Sequence, residues 1–119
     1  MITRYMPKDF PKLKEMYESW MMEVDESALP NIGFISDNAA CFLMITNSQV
    51  CFLEFLVSRK GAEKSDELDK VIEACLNQAK ELGYSRAFGL TSNPAVVKLG
   101  EKNGFNLGIQ KSLIVREIQ

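Results

Sequence analysis

A single carboxylate interrupts an apolar run: Glu54 in "CFLEFLVS", residues 51 to 58. An ionisable side chain in such a run is unusual. The chain has no histidine, so a general base must be a carboxylate, a tyrosine, a cysteine or a relayed water. Glu54 is the candidate base. The competing reading is a strand carboxylate that pairs with a neighbour or faces solvent. A polar loop follows, with Arg59, Lys60 and Lys64 set against Glu63, Asp66, Glu67 and Asp69, so its local charge is about neutral. A strand that runs through a loop into a helix can hold phosphates, because the first amides of a helix lack partners. Asn93 precedes Pro94. A helix cap explains it, and ligand binding is an added role for its amide.

These residues need a frame. "MITRY" reads as a short first strand. Pro7 and Asp9 open a helix in which Phe10, Leu13, Met16, Tyr17 and Trp20 recur at helical spacing, to about Val24. Trp20, Met16, Met21 and Met22 are candidates to line an acceptor pocket, but that spacing favours core packing for Trp20. Met21 and Met22 are adjacent and cannot both face inward, so one is left for a pocket wall or a subunit contact. "IGFIS", "AACFLMIT" and "QVCFLEFLVS" are strands joined by short turns at Asp37-Asn38 and Asn47-Ser48. An Asp-Asn pair tolerates the positive φ of a tight hairpin. The runs are nearly continuous, which predicts strands buried on both faces. Ser65 is the expected N-cap of a helix over 66–82, with Leu68, Val71, Ile72, Cys75, Ala79 and Leu82 as its stripe and Gly83 after its end. "SRAFGLT" is the next strand, a helix starts at Pro94 and ends near Gly104, and "FNLGI" and "SLIVREI" close the chain as strands.

The bulk properties narrow the classes. A chain of 119 residues suits one domain, 1–119, and can build a core without metal or disulfide. A net charge of −2 argues against a dedicated nucleic-acid binder. The three cysteines, Cys41, Cys51 and Cys75, have no metal-ligand spacing and lie in apolar surroundings. They read as reduced core residues, which suits a cytoplasmic protein. No apolar run reaches the length of a membrane span, and no stretch reads as a signal peptide.

The order of elements and two stretches resemble the GNAT (Gcn5-related N-acetyltransferase) superfamily. "CFLEFLVS…LDKVIEACLNQAKELGY" is similar to its fourth strand, acetyl-CoA loop and following helix. "GLTSNPAVVKLGEKNGF" is similar to its fifth strand, cofactor-binding Asn and next helix. The resemblance implies an α/β fold with a central mixed sheet that splays beyond Glu54. It implies acetyl-CoA as cofactor, held by the backbone at Leu56 and Val57, by Lys60, Lys64 and Ser65 around the diphosphate, and by Asn93. It also implies Glu54 as base and the first helix as one wall of the acceptor site. Two features depart from the family. Counting back from "AKELGY", the small residues of its diphosphate loop fall on Asp66 and Leu68, so carboxylates stand where the diphosphate would lie. The tyrosine that serves many members as general acid is Gly100 here.

The reading is an N-acetyltransferase with an unspecified small-molecule or peptide amine as acceptor, weak acetyl-CoA binding, and room for a homodimer. The rival is a non-catalytic module with the same fold and a degenerate acetyl-CoA site. A small-metabolite sensor is a third class. The expected topology is specific: residues 49–57 and 85–91 as adjacent parallel strands, joined over helix 66–82 and diverging at their C-terminal ends.

Overall fold

The computed structural model describes residues 1–90 and 94–106. Its elements are β1 (Thr3–Arg4), α1 (Phe10–Glu18), β2 (Ile32–Ile35), β3 (Ala39–Met44), β4 (Val50–Ser58), α2 (Glu67–Glu81), β5 (Arg86–Gly89) and α3 (Pro94–Lys102). The five strands form one sheet in the order β1-β2-β3-β4-β5. Neighbours are antiparallel except β4 and β5, which run parallel, as expected of two strands joined through α2. The architecture is α/β. No helix among the described residues is long and apolar enough to cross a membrane. The two closing strands expected in "FNLGI" and "SLIVREI" fall almost wholly outside the described residues, and so does Asn93.

Alternation along β3 divides the core into two layers. Ala39, Cys41 and Leu43 face α2 and pack with Cys51, Val71, Ile72, Cys75 and Ala79. Ala40 and Phe42 face α1 and pack with Leu13, Met16, Tyr17, Ile35 and Val57. Burial on both faces explains why β3 reads as an unbroken apolar run. The Phe42 ring fills the space beside Gly33 of β2: a Cβ there would sit 2.4 Å from Phe42 Cδ2. Two expectations are corrected. The hairpin at Asp37-Asn38 forms, but neither residue takes a positive φ. Ser36 closes the turn by bonding Ala39 instead, and Asn38 is drawn to Glu67. And α1 ends at Glu18, well before Val24. Met21 adopts φ 58, with its N–H donating to Glu18 and that of Met22 to Tyr17. This bond pattern closes a helix, and glycine is its usual residue.

Candidate active site at the splay of the sheet

The pairing of β4 with β5 runs from Val50↔Arg86 to Leu53↔Gly89. Beyond that, β4 continues to Ser58 with no β5 partner among the described residues. Pairing with β3 steps from Phe42↔Glu54 to Ala40↔Val57, so β4 carries one extra residue. Phe55 is that bulge, with φ 53. A bulge bends its strand and sharpens its twist, and this one falls two residues past the last β4–β5 pair. A bulky residue with positive φ is an outlier that the surroundings must hold. Here the Phe55 ring packs edge-on against Phe42, 6.1 Å between centroids.

The bulge also puts two successive side chains toward α1. Glu54 lies opposite Phe42, and Phe55 packs in the α1 layer. Glu54 is half-buried. Tyr17 of α1 is its neighbour: burial, then Cys41, then the Glu54 charge push the phenol up to about 12, so it stays protonated at neutral pH. Leu56 and Val57 follow the bulge on the stretch of β4 that has no β5 partner among the described residues. Leu56 packs toward α2, and Val57 is buried toward α1.

The loop after β4 is tied to α1 by contacts that its sequence does not announce. The indole N–H of Trp20 donates to the Ser58 carbonyl at 2.6 Å, and the Lys60 N–H donates to Ser19 Oγ at 2.9 Å. Lys60 Nζ stands 5.7 Å from the centre of the Trp20 ring. Trp20 is therefore not the core residue its spacing predicts; it is 38% exposed. The early end of α1 places it against the loop. Met21 and Met22 are both exposed. Arg59 pairs with Glu15 at 3.5 Å.

Several loop amides are already satisfied. Gly61 N–H donates to Glu63 Oε1 at 2.9 Å, and that bond is the main cause holding the Glu63 carboxyl below its ordinary range. The N–H groups of Ala62 and Ser65 donate to Arg59 and Ala62 carbonyls. Ser65 is not the N-cap: Asp66 takes that position, and Ser65 Oγ donates to Ala62. Lys64 is exposed on the same loop.

The acids of α2 do not converge on the loop. Glu67 accepts from the Asn38 side-chain amide at 2.8 Å and from the Asn38 N–H at 3.2 Å, which hold its carboxyl below the ordinary range. Asp69 accepts from Lys102 at 2.8 Å and from Asn103 at 3.0 Å, with the same consequence. Asp66 pairs with Lys70 one turn on, 3.2 Å away.

The remaining candidates are structural. Tyr84 donates its hydroxyl to the Thr46 carbonyl and accepts from the Thr46 N–H, so it is spent on the β3–β4 turn. Cys51 is buried and its thiol pushed up by that burial. Cys41 is raised by its bond to Cys75 and by burial. None suits a nucleophile. Among the described residues no cluster of His, Cys, Asp or Glu could hold a metal ion. A shallow recess beside Leu76, Lys80 and Tyr84 lies at the start of β5, away from the splay.

No family model matches the sequence, and no curated protein matches it. Solved structures do match. An aminoglycoside acetyltransferase from an uncultured soil metagenomic sample superposes with TM-score 0.77 at 12% identity, over 100% of this chain and 96% of its own. A Mycobacterium tuberculosis protein in complex with CoA gives 0.78 at 14%, over 97% and 76%. The ribosomal-protein-S18-alanine N-acetyltransferase of Escherichia coli gives 0.76 at 15%, over 92% and 79%. The fold of this chain is that of the GNAT acetyltransferases.

Proposed function

We propose that the protein is a GNAT-type N-acetyltransferase that uses acetyl-CoA. One observation carries the reading: past its last β5 pair, β4 bulges at Phe55 and runs on along β3 alone, past Glu54, into a loop and the N-terminus of α2. The unpaired edge at Leu56 and Val57 offers backbone donors and acceptors to an extended amide chain, as an added strand would meet them. That fits a pantetheine arm. Bound acetyl-CoA would supply the activated acetyl group as a thioester. Lys60, Lys64 and the Ser65 hydroxyl would hold the diphosphate, and the Asn93 amide would bind the cofactor from just before α3.

Glu54 takes one proton from the acceptor ammonium and passes it to solvent. The freed nitrogen would then take the acetyl group from the bound thioester, the leaving thiolate keeping the carbon–sulfur electron pair. A second proton lost from nitrogen ends on that thiolate. With glycine at position 100, this transfer passes through water rather than a tyrosine.

A second reading, a binding module with a degenerate cofactor site, is favoured by the loop itself. The Gly61 amide is already taken by Glu63, and the Lys60 amide by Ser19. Calorimetry with acetyl-CoA and desulfo-CoA separates the two. We expect saturable binding weaker than low micromolar, tightened in Asp66→Gly and weakened in Lys60→Ala. No heat with either ligand, for the native protein and for Asp66→Gly alike, leaves the module.

A further inference from the structure

We infer that the acceptor is a small primary amine borne on an aromatic body, seated on the open α1-side face of β3, β4 and β5 with its nitrogen at Glu54. The inference rests on the acetyltransferase reading and names its substrate class.

The face follows from the register. Met44 pairs with Phe52, and Phe52 with Phe88, so one side chain from each of three adjacent strands lies in a row. The row belongs to the α1 side, since Phe42, two residues before Met44, packs in that layer. Yet α1 stops short of it: Met44 is 41% exposed and Phe88 45%. Phe52 and Phe88 meet edge to face with centroids 5.7 Å apart. Two large rings held in contact beside solvent form a platform for a third ring.

Charge decides what else the ligand carries. Glu54 is the next β4 residue on that face after Phe52. Side chains two apart on a strand stand about 7 Å apart. An aromatic ring with a two- or three-carbon arm spans that distance and brings an ammonium to the carboxylate. A sugar phosphate would find a carboxylate and three apolar side chains, with no donor for its phosphate beside Glu54 among the described residues of this row. A polyamine would leave its further charges over apolar carbon. Arg86 lies two residues before Phe88 on the same face of β5, at the end of the row away from Glu54.

The test needs no cofactor. 2-Phenylethylamine is titrated alone into the full chain and followed by ligand-observed NMR, with glucosamine 6-phosphate and a tetrapeptide of apolar N-terminus as comparisons. We expect saturable binding of 2-phenylethylamine, weakened about tenfold or more in Phe88→Ser and largely kept in Phe88→Leu. Phe88 is exposed enough that Phe88→Ser should melt with the native protein; Met44→Ser serves if it does not. No saturable binding of 2-phenylethylamine overturns the inference. So does equal binding of the sugar phosphate, binding of the tetrapeptide alone, or binding that Phe88→Ser leaves unchanged. Amine binding in a protein that gives no heat with acetyl-CoA supports this ligand class and removes the acetyl-transfer reading, so the two failures are told apart.

Discussion

Glu54 combines three properties that no other carboxylate of the described chain combines. It stands one residue before the bulge, it is half-buried, and it faces the aromatic layer that holds Tyr17. A base in the reaction must accept a proton at the transition state, which a glutamine of the same shape cannot do. Glu54→Gln should therefore lower kcat about 100-fold or more, within the usual worth of general base catalysis. Its affinity for acetyl-CoA should change far less, because Glu54 precedes the unpaired stretch offered to the cofactor. The split is read by steady-state kinetics against calorimetry on the same variant. Equal turnover in Glu54→Gln would take the residue out of the mechanism and leave a relayed water. The acids farther along divide differently from what their sequence positions suggest. Glu67 and Asp69 are turned to Asn38 and Lys102, and Glu63, not Asp66, lies on a loop amide. Spacing places a carboxylate on an element, but its direction depends on partners 29 and 33 residues away in sequence.

The helices show how much of the element structure is written locally. The three helices end with the same pair of backbone bonds around a residue of positive φ. In α2 that residue is Gly83 and after α3 it is Gly104, and both ends are legible because glycine signals them. In α1 the residue is Met21, which carries no such signal, so periodicity runs on to Val24 and misplaces Trp20. The strands divide in the same way. Their order, the parallel β4–β5 pair and the place of Glu54 follow from apolar runs and one helix. The bulge does not, since "EF" has no glycine to mark it; Phe42 and the α1 layer hold Phe55 in place. Met21 yields a direct check. Its side chain is 96% exposed, so removing it loses almost no packing. A left-handed conformation costs a non-glycine residue about 1–2 kcal/mol, and the added freedom of glycine in the unfolded chain returns roughly 0.4–1 kcal/mol of that. Met21→Gly should thus stabilise the protein by about 0.5–1 kcal/mol, seen as a rise of a few degrees in Tm by calorimetry. A fall in Tm would mean that Met21 contributes contacts its exposure conceals.

The first turn of α2 joins parts that the sheet alone would leave independent. Glu67 fastens it to the β2–β3 turn through Asn38, and Asp69 fastens it to the end of α3 through Lys102 and Asn103. The same bonds keep two carboxylates off the loop proposed to meet the cofactor, so assembly and site share one set of contacts. Both carboxyls lie below their ordinary values of 4.5 and 3.8 in the folded protein, Glu67 chiefly through the Asn38 side chain and Asp69 chiefly through Lys102. A group whose folded pKa is depressed binds its proton more readily in the unfolded chain. Its contribution is complete above the unfolded value and fades as pH falls through the folded one. Stability should accordingly hold from neutrality to about pH 5 and decline below about pH 4.5, as the proton breaks the ties at Asn38 and Lys102. Both groups are half-buried and still reached by water, so the loss is modest and shrinks in salt. Urea unfolding at pH 7 and at pH 3.5, for the native chain and for Glu67→Gln with Asp69→Asn, measures it. The double variant should be less stable at pH 7 and lose less on acidification, its two neutral amides having no charge to surrender. If the two proteins lose the same stability between those pH values, the acid response arises elsewhere and the first turn of α2 is not its seat.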